Sequence, residues 1–221
     1  MMYHSKLLLR KKRIQKLDRA LKKLFPEAGI ELKFKNPLQL LVAVQLSAQC
    51  TDKVVNRITE KLFKKYKTLS DYLEAKPREF EQDIRSCGYY RSKTKNILGA
   101  VQMIKKDFDG KVPHTIEEML KLPGVARKTA TVVLYEAYGV TAGVTVDTHV
   151  IRFVQRFDLS DHKSPVKIER DLMELLPKKE WPRFTHRVIY YGRYLAPARR
   201  YETTKDILVK IYPQAAKRFR V

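Results

Sequence analysis

Apolar residues recur along this 221-residue chain mostly at intervals of three and four, the period of an amphipathic helix. Near the start, Leu17, Leu21, Leu24 and Phe25 share that spacing, which predicts a helix docked on the body rather than a transit peptide. The stretch PLQLLVAVQLSA is apolar nearly all round, and Asn36 before Pro37 supplies an N-cap with proline at the first helical position. TDKVVNRITEKLFKKY sets Val54, Val55, Ile58, Leu62 and Phe63 on one face. Ser70 and Lys76-Pro77 mark short helix starts, and RSKTKNILGAVQMIKKDF groups Ile97, Ala100, Val101 and Ile104. A helix over HTIEEMLK, the turn LPGVA and a further helix to about Tyr138 follow.

GVTAGVTV is β-branched and glycine-punctuated and reads as an extended connector, a natural boundary between lobes. Asp147 then caps THVIRFVQRF, Ser164-Pro165 opens VKIERDLMELL, and RFTHRVIYYGRYL and TTKDILVKIYPQAAKRF each read as a helix. The pattern holds no hairpin signal, no low-complexity segment and no tandem repeat. The fold class is all-α, with roughly ten to twelve short helices.

Composition narrows the function. With 44 % hydrophobic residues the chain is a folded one, and 46 Lys and Arg against 24 Asp and Glu give a net charge of +22. Such an excess repels itself unless a polyanion is the working partner, and nucleic acid is the usual one; a merely soluble basic protein is the alternative on charge alone. Two cysteines, Cys50 and Cys87, are too few for a disulfide scaffold or a four-thiolate metal site, and both are expected reduced in the core. The five histidines form no ligand pattern: His149 lies near Asp147 but has no partner at helical spacing. No apolar run is long enough for a membrane span.

The turn LPGVARKTA carries the first chemical signal. Two helices joined by a Pro-Gly turn leave backbone N–H groups of the second helix for an anion, and Gly124 lets a phosphate come close. An ordinary helix corner is the other reading. Lys128 stands in the first turn of that second helix, where the helix dipole disfavours a cation. At about 100° per residue, Ala130, Val133, Leu134 and Ala137 face away from it, with Val132 and Tyr135 as near neighbours. Lys128 is therefore expected in partly apolar surroundings, where desolvation favours the neutral amine that a lysine nucleophile requires. A snorkelling surface lysine stays open.

LPGVARKTATVV followed by VTVDTHVIRF resembles the helix-hairpin-helix DNA glycosylases, and among them the endonuclease III family of bifunctional glycosylase/lyases. NPLQLLVAVQLSAQCTD, GYYRSKTKNI and HRVIYYGRY extend the resemblance over nearly the whole chain. It implies two helical lobes: a six-helix barrel over residues 30–140, containing the hairpin at about 115–138, and a second lobe of residues 1–29 plus 141–221. By position, Lys128 resembles the Schiff-base nucleophile and Asp147 the essential carboxylate, although Asp147 also reads as a plain N-cap. Gln49 resembles the residue that fills the gap left by an extruded base, and Tyr89 occupies the wedge position; buried-amide and ordinary-aromatic readings stand beside these. Leu122, Gly124, Ala126, Arg127, Thr129 and His149 are the further DNA contacts that the resemblance implies.

The implied activity is excision of oxidised or damaged pyrimidines by base flipping, then β-elimination 3′ to the abasic site. Same-fold alternatives are enzymes for mismatched thymine or uracil, for adenine opposite damaged guanine, or for 8-oxoguanine. A non-catalytic DNA-binding protein is a third. The expected partner is double-stranded DNA with damaged bases or abasic sites, met by a monomer in the cytoplasm or nucleoid, with no membrane. Most members of the family hold a 4Fe-4S cluster on four cysteines near the C-terminus. Here Ala196 takes the first of those positions and the segment after it has no cysteine, so no cluster is expected. In its place, Ile207, Leu208, Ile211 and Tyr212 are expected to close the lobe, with Arg199, Arg200, Lys217, Arg218 and Arg220 as basic contacts. Ala126 departs from a common hairpin glycine but keeps its amide, which preserves the phosphate grip if its φ is negative. A monovalent cation on hairpin carbonyls is a further family expectation.

Overall fold

The computed structural model describes residues 2–198 and 202–218, with side chains from residue 5 onward. Among the described residues every regular element is helical. The chain forms two compact units, one of residues 31–142 and the other of residues 1–30 with 143–221.

The 31–142 unit is built around α2 (Pro37–Leu46), whose residues from Gln39 to Leu46 are all buried. A helix with no polar face needs neighbours on every side. They are α3 (Asp52–Lys65), α6 (Tyr90–Asp107) and α8 (Arg127–Tyr138). Asn36 caps α2 by accepting from the Gln39 amide at 2.9 Å, ahead of Pro37. In α3, Val55, Ile58 and Leu62 are buried, while Val54 and Phe63 are half-buried at the edge of the same face. Two short helices, α4 (Leu69–Leu73) and α5 (Pro77–Asp83), pack on α6. Tyr66, Tyr72 and Phe80 meet there as an aromatic cluster, and burial pushes the Tyr72 phenol far above its usual range.

Three sequence expectations are corrected. Helix α4 starts at Leu69, with Thr68 as its N-cap, rather than at Ser70, because Thr68 and Asp71 form a reciprocal capping box that leaves Ser70 inside the helix. HTIEEMLK forms only the one-turn α7 (Ile116–Met119), capped by Thr115 and stopped before the Pro-Gly turn. TTKDILVKIYPQAAKRF does not form one helix either. It gives a 3₁₀ turn at Thr203–Lys205 and two short helices, split because Pro213 cannot continue the first.

The other unit gathers α1 (Met2–Leu24), α9 (Thr148–Arg156), α10 (Pro165–Leu175) and α11 (Trp181–Tyr190), followed by a wide π-helical turn at Tyr191–Leu195. It ends in α12 (Ile207–Ile211) and α13 (Ala215–Arg218). Its core joins Leu17 and Leu21 of α1 to Phe153 of α9, Leu172 of α10, Phe184 of α11 and Leu208 of α12. Charged groups pin α1 around this core. Arg187 donates to Asp18 at 2.9 Å with both side chains buried. Arg10 and Arg13 donate to the carbonyls and carboxylates of residues 157–161 after α9. Arg10 first, and then Lys6, hold the Asp161 carboxyl down at about 2.

Candidate DNA-binding and catalytic site

The hairpin turn is fixed from within its own unit. Gly124 has φ +72°, and a Cβ there would lie 2.6 Å from Cβ of Asn96 on α6, so glycine is required twice over. Gln45 near the end of α2 donates from Nε2 to the Pro123 carbonyl at 2.8 Å, tying the turn to the central helix. Ala126 follows at φ −87° and ψ 169°, the extended geometry of an N-cap, and no side chain caps the first turn of α8. Its negative φ meets the condition set for keeping the anion-facing amides. Leu122 is buried beneath the turn, Thr129 is half-buried, and Gly124, Ala126 and Arg127 are exposed.

Helix α8 buries Ala130, Thr131, Val133 and Leu134, which matches the inward face read from the sequence except that Ala137 is only half-buried. Lys128 is exposed. Lys128 is thus less covered in the protein alone than the desolvation argument expects, while Val132 and Tyr135 on its side of the helix are half-buried.

Gln49 and Tyr89 share an unusual backbone. Both are left-handed, with φ 53° and 59°, a conformation that costs a non-glycine residue about 1–2 kcal/mol. Each ends up exposed at a helix margin: Gln49 in the turn after α2, Tyr89 as the N-cap of α6 with 70 % of its surface open. Together with Gly124 they open onto one cleft of about 270 Å³, with Asn96 and Lys93 in its wall. Residues 49, 89 and 124 are thus brought together by the fold of this unit. A larger cleft of about 560 Å³, between Lys33–Gln39 and α3, contains none of the site residues.

Asp147 and His149 belong to the other unit. Asp147 accepts from the Val150 amide at 2.9 Å and caps α9, leaving its second carboxylate oxygen outside that bond. His149 is half-buried; its Nδ1 lies 3.2 Å from Arg152 Nη2, and the ring packs so closely over Gly192 that any side chain there would collide with it. Ala196 is wholly buried. Its amide donates to the Tyr191 carbonyl at 2.8 Å, and Arg152 reaches its carbonyl at 3.4 Å. Leu208, Val209 and Ala215 bury themselves in the same core, while Ile211 and Tyr212 pack at its edge. Ile207 is instead 48 % exposed, because its position at the start of α12 turns it outward. Asp206 caps α12 and takes a hydrogen bond from the Tyr191 hydroxyl, fixing this segment to the π turn. Lys217 and Arg218 are exposed on α13; Arg199, Arg200 and Arg220 lie outside the described residues. Among the described residues no three His, Cys, Asp or Glu side chains are grouped to hold a metal, and no helix is long and apolar enough to cross a membrane.

The profile of the HhH-GPD superfamily base excision DNA repair proteins matches residues 42–178. Endonuclease III of Synechocystis sp. is 48 % identical over 195 residues, 88 % of this chain and 89 % of that protein. This chain belongs to the endonuclease III family. Two solved structures of the family agree throughout. A non-covalent endonuclease III–DNA complex matches with a TM-score of 0.89 and 43 % identity, over 96 % of this chain and 99 % of that one. A trapped endonuclease III–DNA covalent intermediate, an estranged-adenine complex, matches with a TM-score of 0.89 and 42 % identity, over 95 % and 99 %. The endonuclease III fold therefore extends through the C-terminal segment, where this chain has packed apolar residues and no cysteine.

Sequence reasoning missed Gln45, Lys93 and Asn96. The signal for Gln45 was present, since Gln39 and Gln45 are the only polar side chains in the apolar run Pro37–Leu46. An amide retained in a helix with no polar face has a buried partner to satisfy.

Proposed function

We propose that this chain is a bifunctional DNA glycosylase and abasic-site lyase, with Lys128 as nucleophile and Asp147 as its carboxylate partner. The substrate is double-stranded DNA bearing a damaged pyrimidine or an abasic site. The observation that carries the reading is the convergence of Gln49, Tyr89 and Gly124 on one cleft beside the hairpin that presents Lys128.

The steps follow from the side chains. Amides at the uncapped start of α8 and the exposed Gly124 turn would hold a backbone phosphate whatever the sequence. Tyr89 would enter the base stack and Gln49 would fill the space left by the extruded nucleotide. Flipping costs a few kcal/mol, least for a damaged base. The Lys128 amine would attack C1′ of the flipped sugar and expel the base. The resulting Schiff base acidifies the C2′ proton, whose loss breaks the bond to the 3′ phosphate. Asp147 would stabilise positive charge on the sugar and help the amine shed its proton. Since Lys128 is exposed in the protein alone, its desolvation would come from the duplex covering the helix end.

The residues do not fit the 4Fe-4S cluster that the resemblance implies. Four thiolates are needed, and this chain has two cysteines, both within residues 31–142. The proposal is that Ala196, Leu208, Val209 and Ala215 take over its structural role and that no step depends on it. With a net charge of +22, DNA affinity should fall steeply with salt. The deciding experiment is borohydride trapping with duplexes carrying an abasic site or a damaged pyrimidine. A covalent complex is expected with both. Failure on the abasic duplex would return the chain to a non-catalytic binding role.

A further inference from the structure

The cleft of about 560 Å³ between Lys33–Gln39 and α3 takes no part in the proposed reaction. Its wall on α3 is Asn56, Arg57, Thr59, Glu60, Phe63 and Lys64, positions that fall on one side of a helix. Phe63, at the edge of the core face, lines this cleft while staying half-buried. The facing wall is the helix-free run 33–35, in which Phe34 is half-buried as well. Side-chain amides hold that run in place. Asn56 accepts from the Lys33 amide and donates to the Glu31 carbonyl, both at 2.9 Å. Gln39 Oε1 accepts from the Lys35 amide, also at 2.9 Å. A wall fixed in this way is shaped before anything binds.

The polar groups of the cleft are not all satisfied. Gln39 is only 7 % exposed, and the Lys35 bond fixes which end of its amide is nitrogen. Its Nε2 has no acceptor among the described residues. Lys33, Lys35, Arg57 and Lys64 surround the cleft, all exposed. Glu60 is the carboxylate among them and lies 3.6 Å from Lys64. Lys33, Lys35 and Arg57 have no ion-pair partner among the described residues.

We propose that this cleft docks an acidic protein segment carrying one bulky apolar side chain. That side chain enters between Phe34 and Phe63, and the carboxylates around it meet Lys33, Lys35, Arg57 and Lys64. A carbonyl of the segment accepts from Gln39 Nε2. Complementary charge then guides the encounter, and the buried anchor supplies most of the affinity. A nucleic acid strand brings negative charge too, but it binds by stacking bases on open ring faces. Here both rings are half-buried in the walls, where they shape a pocket for a side chain. No residue of the proposed reaction lines this cleft, so the inference does not rest on that reading.

The test adds a dye-labelled peptide of Asp and Glu residues around a single Phe to the full chain and follows fluorescence anisotropy. Saturable binding is expected. It should weaken about tenfold when Ser replaces the Phe of the peptide, and likewise in Phe63→Ala. Phe34→Ala and the exposed Arg57→Glu repeat the test away from the α3 core face. Lys105→Glu, at an exposed position outside the cleft, should change little. Equal losses from Arg57→Glu and Lys105→Glu, or none on removing the anchor, would reduce the binding to bulk charge attraction and overturn the site. A single-stranded oligonucleotide that loses affinity in Phe63→Ala as the peptide does would assign the cleft to nucleic acid and overturn the protein partner. Borohydride trapping on an abasic duplex should be the same in Phe34→Ala as in the wild type, which keeps this surface apart from the lysine chemistry.

Discussion

Two helices of this protein begin with residues given roles at the same sugar, and they begin in opposite ways. Helix α9 starts conventionally: Asp147 accepts from the Val150 amide, and its negative charge sits at the positive helix end. Helix α8 starts with Ala126, which has no side chain to offer, followed by Arg127 and Lys128, whose charges the dipole opposes. One end is satisfied from within. The other has no side-chain cap. Under the proposed function this start, which forgoes about 0.5–2 kcal/mol of capping, would receive a backbone phosphate of the duplex instead.

Replacing the two side chains should separate these roles most sharply. Lys128→Ala removes the nucleophile, so borohydride trapping on abasic DNA should vanish while affinity remains. Its thermal stability should hold or rise slightly, because a cation disfavoured by the dipole, by about 0.3–1 kcal/mol, is gone. Persistent trapping would assign the chemistry to another amine. Asp147→Asn keeps an oxygen for the Val150 amide and loses only the charge. It should fold as the wild type does and cleave about 10²–10⁴-fold more slowly. Asp147→Ala should show the same kinetic loss and, in addition, about 1 kcal/mol of lost stability by denaturant titration. Equal activity in Asp147→Asn and the wild type would reduce Asp147 to a cap.

Gly124→Ala tests whether the turn feeding α8 is as constrained as its geometry implies. The new Cβ would meet Asn96 at 2.6 Å with φ held at +72°. A loss of about 1–3 kcal/mol is expected in denaturant titrations, with weaker binding to undamaged and damaged duplexes alike. Selective loss for damaged DNA would mean that the turn reads the lesion rather than the backbone.

Much of this contrast was legible in the sequence because it is local. Asn36-Pro37, the Asp147 cap and the inward face of α8 each depend on residues within one or two turns. So did the resemblance, whose hairpin and VDTH stretch are contiguous. What stayed hidden depends on distant segments. A helical wheel gives the face on which Lys128 lies but not how far that residue is exposed. The left-handed conformations of Gln49 and Tyr89 have no glycine to announce them; the surrounding packing imposes them. Lys93 looked like one more charge on a basic helix, yet its carbonyl partners lie 45 and 47 positions earlier. The break at Pro213 is legible as well, although the amphipathic spacing on either side of it suits one continuous helix.

The smallest change should sharpen the contrast furthest. Ala126→Ser would give α8 the kind of cap that α9 already has, in a residue whose φ −87° and ψ 169° already suit one. The serine oxygen would accept from an amide of the first turn and raise stability by about 0.5–2 kcal/mol. The same bond would occupy a donor that the phosphate needs. Stability and DNA affinity should therefore move in opposite directions, the first read by thermal melting and the second by anisotropy on an abasic duplex. A variant that gains both would show that the phosphate does not use those amides, and the difference between the two helix starts would then lie in Lys128 alone.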